Sequence, residues 1–194
     1  MIPPFEKNEQ GLTLLELLTA MALTMVVLTA VCNTFIAQQR TYHTQEQVNE
    51  MIQTARASLD IISREVKMAG YDPSGTGIIG IPYNAGQLKI VADLNGDGDT
   101  NDDFEYITYN LDTSLNKIIK NTSGWSQTFA DHIDSFQVNY LDKNGNATTD
   151  SNDIRKLNIQ IVVKTAGQDR YFYDNGGYRT CRMSAVITPP NLSI

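Results

Sequence analysis

The stretch DLNGDGDTNDDFE, residues 93–105, holds six acids and no base. Asp93, Asn95, Asp97 and Asp99 stand at alternate positions, with Gly98 before the last of them. This is the D-x-N-x-D-G-D opening of an EF-hand-type calcium loop, in which oxygen-bearing side chains converge and glycine permits the sharp turn. Asn101 takes the ninth place, but the twelfth is Phe104, not the bidentate Glu, which excludes an ordinary EF-hand. Asp102, Asp103 or Glu105 must then close the shell. The expected ligands are Asp93, Asn95, Asp97, Asp99, Asp103 and Glu105, and the expected ion is Ca²⁺, since six unscreened carboxylates repel one another and a divalent ion relieves that. The competing account is a solvated acidic hairpin, because Asn-Gly and Asp-Gly are also turn formers. The loop contains most of the formal net charge of −7. A second polar stretch, DKNGNATTDSND (142–153), has its Gly145 one place too early for the template and reads as a turn between strands.

A different acid poses a different question. Glu16 is the one charged residue in the run from Leu12 to Gln39, which otherwise consists of Leu, Val, Ile, Met, Ala, Phe and a few small polar residues. A carboxylate at bilayer depth costs about 2.5–3.5 kcal/mol on insertion scales and persists where a partner or pathway needs it. Catalytic constellations are missing: His43 and His132 have no Ser or Cys motif around them, and there is no phosphate loop or zinc spacing. The expectation is a protein that is not an enzyme. With 15 basic against 22 acidic residues and no basic cluster, no nucleic-acid partner is expected. Trp125, in SGWSQ, is either offered to a partner or buried.

The elements that position these residues follow from periodicity. A helix from Leu12 to Ile36 would be about 37 Å long, against a hydrocarbon core of about 30 Å. Apolar residues at Val48, Ile52, Ala55, Leu59, Ile62, Val66 and Ala69 continue as one stripe, and Gly70 followed by Asp72-Pro73-Ser74-Gly75 ends it. With no Pro or Gly between Leu12 and Ala69, the helix is expected to be unbroken, about 87 Å in all. After Gly75 the period changes to that of strands: 87–93, 104–111, 116–120, 133–141, 154–165 and 178–188 are rich in β-branched and aromatic residues between Gly, Asn and Asp. One helix followed by strands predicts an α+β fold with the helix packed on an antiparallel sheet. Of the two cysteines, Cys32 falls in the apolar run and Cys181 near the end of the globular part, so no intrachain disulfide is expected.

Gly11, then Leu12-Thr13-Leu14-Leu15-Glu16 and the apolar helix, resemble the class III signal of type IV pilins and the pseudopilins of type II secretion. The resemblance implies a leader at 1–11, cleavage after Gly11 by the prepilin peptidase, N-methylation of Leu12, a transmembrane and assembly helix at 12–39, and a head at 40–194. It also implies that Glu16 pairs with the N-terminal amine of a neighbouring subunit. Leu12 stands where most pilins have Phe, and the leader has only Lys7 against Glu6 and Glu9, a weak charge bias for orientation. Within the class, ASLDIISREVKMAGYDPSG (57–75), IDSFQVNYLDKNGN (133–146), IRKLNIQIVVKT (154–165) and VITPPNL (186–192), with the acidic loop, look like a PilW-type minor pilin. That implies other major and minor pilins and the inner-membrane assembly platform as partners, a periplasmic head before assembly and a place on the cell-surface pilus afterwards. The alternatives are a J-type minor pseudopilin and a membrane-anchored periplasmic domain that does not polymerise.

Overall fold

In the computed structural model, residues 13–192 are described. The chain forms two compact units, one ending at Gln45 and the other beginning at Glu46. One unbroken helix, α1 (Leu14–Met68), runs through the boundary, as the lack of helix breakers predicts. Cys32 and Cys181 are free thiols.

In the first unit α1 is apolar on all sides as far as Ile36, with these side chains exposed. Leu14 is 76% and Phe35 62% exposed. A soluble surface helix keeps its apolar residues to one stripe, whereas a helix apolar all round requires an apolar surrounding. The threonines fit such a surrounding: Thr24, Thr29 and Thr34 each donate the side-chain hydroxyl to the carbonyl four residues back, at 2.7, 2.8 and 2.9 Å. Each of these hydroxyls is thus satisfied within its own helix, as lipid requires.

In the second unit α1 becomes one-sided, burying Met51, Ala55, Ser58, Leu59, Ile62 and Val66. Gly70, at φ 75°, closes the helix in the left-handed conformation that a side chain would strain. Its amide donates to the carbonyl of Val91, 2.9 Å away, which ties the helix end to the first strand.

The head contains two antiparallel sheets where one was expected. Strands β1 (Gln87–Val91), β2 (Tyr106–Asp112), β3 (Lys117–Thr122) and β4 (Trp125–Ala130) form a four-stranded meander, and β5 (Ile133–Leu141), β6 (Lys156–Lys164) and β7 (Thr180–Ile187) a three-stranded one. The break falls at Asp131-His132, where His132 has φ 58°. Residues from α1 and from both sheets make one core, with Ile62, Leu88, Ile118, Leu157, Ile159 and Ile161 fully withdrawn from water.

Strand β4 was missed by pattern because Ser126, Gln127 and Thr128 are polar and the strand is exposed on both faces over its first four residues. Its existence rests on backbone pairing with β3, which a hydrophobic pattern does not report. Trp125 lies 42% exposed at its start.

One ion pair is buried between α1 and the four-stranded sheet. Glu65 accepts from the Lys120 ammonium at 2.5 Å, with side chains 15% and 8% exposed, and also from the Tyr109 hydroxyl. Burial, and then the adjacent Glu65 carboxylate, push the Tyr109 phenol far above its ordinary range.

Candidate functional site

At the start of α1, Thr13 and Glu16 cap the helix reciprocally. The Thr13 amide and hydroxyl both donate to Glu16 Oε2 at 2.9 Å, and the Glu16 amide donates to Thr13 Oγ1 at 3.3 Å. The T-x-x-E spacing is that of a capping box, which satisfies amide groups otherwise orphaned at a helix start. Both side-chain contacts fall on one carboxylate oxygen, and Oε1 has no partner among the described residues. Gly11 and Leu12 lie outside the described residues.

The acidic loop between β1 and β2 is built in two tiers. The inner tier is scaffold. Asp93 is fully buried; its Oδ1 accepts from the Gly96 amide at 2.6 Å and its Oδ2 from the Gly98 amide at 3.1 Å and the Ser74 hydroxyl at 2.7 Å. The Ser74 hydroxyl leads, with the two glycine amides, in holding the Asp93 carboxyl below its usual range, against the opposing effect of burial. Glu105, 1% exposed, accepts through Oε1 from the Leu94 amide at 2.8 Å and the Asn95 amide at 3.3 Å, and so closes the loop from its far end.

The outer tier points to solvent. Asn95 Oδ1 accepts from the Asp97 amide, Asp97 Oδ1 from the Asp99 amide and Asp99 Oδ1 from the Asn101 amide, at 2.9, 3.0 and 2.8 Å. This ladder of side-chain turns winds the backbone so that carboxylate oxygens of Asp97, Asp99 and Asp102 come within 4.8 Å of one another. Asn95 Nδ2 donates to Asp97 at 3.1 Å and to Asp102 at 2.6 Å, linking two of the three. Burial, followed by the charges of Asp97, Glu105 and Asp99, raises the Asp102 carboxyl above its usual range.

Of the six residues expected to bind a metal, Asp97 and Asp99 are brought together at the surface, joined by Asp102. Asn95 bridges the group, while Asp93 is occupied by backbone amides and the Ser74 hydroxyl, and Glu105 by backbone amides. Asp103 lines an open cavity of about 650 Å³ with Asn101, Asp102, Ser123 and Gly124.

Sequence reading missed the support that Asp72 supplies from outside the loop. The sequence assigns Asp72-Pro73-Ser74-Gly75 to a helix stop only. In the structure Asp72 Oδ1 accepts from the Gly75 amide at 2.8 Å and Oδ2 from the Gly77 amide at 2.7 Å, and Ser74 Oγ lies within 3.0 Å of Asp72 as well as 2.7 Å of Asp93. The signal was the Asp followed by Ser and two glycines, a composition that folds backbone amides onto a carboxylate.

Loss of water around Asp72 pushes its carboxyl upward, but the Gly77 amide, the Ser74 hydroxyl and the Thr76 and Ile78 amides outweigh this and hold it at about 2. The unfolded value is 3.8, so the stabilising contribution is complete above about pH 4 and is lost as pH falls towards 2. Asp72→Ala is therefore expected to melt below the parent at pH 7, with the difference disappearing near pH 2. A thermal-melt series from pH 7 to 2 checks this, and a difference independent of pH would refute it.

The comparisons with known proteins bear on the N-terminus and on the fold. Residues 7–31 match the family model described as the prokaryotic N-terminal methylation motif. No curated protein matches. Among solved structures, a type IV-like pilin from Thermus thermophilus is similar, at 11% identity over 73% of this chain and 98% of that chain, with a TM-score of 0.47. The family match is confined to the N-terminal methylation motif, and the long helix packed on antiparallel sheets is the fold class expected from the sequence. Among the described residues one helix, α1, is long and apolar enough to cross a membrane.

Proposed function

We propose that this chain is a minor pilin of the PilW type, acting at the start or tip of a type IV pilus in a structural, non-enzymatic role. The observation that carries the reading is the methylation motif at residues 7–31, continued by a helix apolar on every side in which Glu16 is the one acid up to Gln39. The capped Glu16 keeps one carboxylate oxygen for the amine of a neighbouring subunit. Prepilin peptidase, other pilins and the inner-membrane assembly platform are its partners, with the head periplasmic until assembly.

Two variants test the reading. Gly11→Val is expected to abolish the N-methylated chain beginning at Leu12, as seen by mass spectrometry of protein from cells that hold the peptidase. Glu16→Ala removes the costly carboxylate, so membrane insertion is retained while incorporation into filaments falls to background. Normal processing of the first variant, or undiminished incorporation of the second, would sink the proposal.

We propose Ca²⁺ as the ligand of the acidic loop, supported by the convergence of Asp97, Asp99 and Asp102. Three carboxylates, with carbonyl and water oxygens, match the hard oxygen donors that this ion takes. At a hundredfold excess over Kd, binding to the folded state alone adds about 2.7 kcal/mol, which raises the melting temperature of a chain this size by about 5–10 °C. Calcium against chelator, on the full chain in detergent, measures this. Asp97→Ala with Asp99→Ala should erase the difference, and equal melting of the parent in both conditions would leave only an acidic turn.

A further inference from the structure

Four strands lie at the edges of the two sheets, and three are visibly blunted. The amide of Val91 in β1 is taken by the carbonyl of Gly80 at 2.8 Å, β4 joins its neighbour through a register shift at Ile118/Ile119, and β5 does so at Ile133/Ser135. Strand β7 has no such device. Its eight residues pair with β6 in unbroken register from Thr180↔Lys164 to Ile187↔Leu157. It contains no proline, and among the described residues no further backbone hydrogen bond reaches residues 180–187. A regular, unpaired edge of this length is a template for another strand.

The side chains say what kind of strand. On the face turned to the core, Cys181, Met183 and Ala185 pack against buried residues yet stay only half-covered, so an apolar row ends at the edge without a next column. On the opposite face, β6 and β7 present Lys156, Lys164 and Arg182 with no acid on either strand, in a chain whose net charge is −7. Lys164 is held by Asn116 Oδ1 at 3.1 Å, whereas Arg182 makes no hydrogen bond or ion pair among the described residues. Pairing two copies of β7 antiparallel in a register centred on residue 182 or 183 would set the two Arg182 side chains opposite or diagonal to each other, which is unfavourable.

We infer that the free edge of β7 accepts an extended segment of a different protein, with acidic side chains on its outer face and apolar ones on its inner face. Backbone bonds along β7 supply the affinity, the row of Cys181, Met183 and Ala185 gains its missing cover, and Arg182 selects the sign of the charge. The inference is independent of the pilin assignment.

The test uses the full chain in detergent and two capped eight-residue peptides, one alternating glutamate with valine and the other lysine with valine. Hydrogen exchange is read at the amides of residues 180–187. With the acidic peptide at ten times its Kd, exchange at the outward-facing amides is expected to slow by about tenfold, with no slowing by the lysine peptide. Arg182→Glu, an exposed position that leaves the core intact, should reverse the preference. No slowing by the acidic peptide, or equal slowing by both whatever residue stands at 182, overturns the inference.

Discussion

Glu65→Ala is expected to destabilise the head by about 3–5 kcal/mol, because it removes one partner of a buried pair and leaves the other charged. Lys120, with its side chain 8% exposed, would keep an ammonium between the Phe104 and Tyr109 rings, 5.8 and 5.7 Å from their centroids, with no carboxylate. The Tyr109 hydroxyl would lose its acceptor as well. Replacing both partners together, Glu65→Leu with Lys120→Met, should recover most of the loss, since an apolar pair of similar volume has no charge to desolvate. The exposed pair Asp60–Arg64, at 2.7 Å with side chains 56% and 77% exposed, is the contrast, and Arg64→Ala should cost less than about 1 kcal/mol. Urea unfolding of the full chain in detergent, followed through the single tryptophan, Trp125, measures all three. A loss under about 1 kcal/mol for Glu65→Ala would show the pair to be solvated.

Gly80→Ala is expected to cost about 3 kcal/mol or more by overpacking. A Cβ at residue 80 would lie 2.3 Å from the Gly70 nitrogen, 2.6 Å from its Cα and 2.9 Å from the Ala69 carbonyl carbon. These are backbone atoms at the end of α1 and cannot swing aside as a side-chain tip can. Relief requires moving Gly80 away from the helix end, which strains both its carbonyl's bond from the Val91 amide and the Gly70 amide's bond to Val91. Ala69 and Ile81, both buried beside this contact, would be drawn into the shift. Unfolding of this variant under the same conditions is the check, and parental stability would mean that the 78–82 segment yields freely.

Much of the architecture could be read along the chain because it depends on local order. The unbroken α1 follows from the absence of Pro and Gly before Gly70, and its change from apolar all round to one-sided follows from where charges enter after Gln39. Strands β5 and β6 lie at 133–141 and 156–164, almost where β-branched alternation put them. The acidic loop was legible as chemistry, since the spacing of Asp93, Asn95, Asp97 and Asp99 already implies a wound backbone, and the structure shows that winding as a ladder of side-chain turns.

Tertiary structure decided what depends on contacts between distant positions. Spacing cannot say that Asp93 turns inward to Ser74, 19 positions earlier, while Asp102 joins Asp97 and Asp99 at the surface, because the division is set by which backbone amides the packed loop leaves unsatisfied. Strand β4 exists through hydrogen bonds to β3 that its polar side chains do not announce. Glu65 and Lys120 stand 55 positions apart, and each alone reads as an ordinary surface charge. Only the placement of α1 across the four-stranded sheet withdraws both from water, where the cost of burying either charge makes the other its necessary partner.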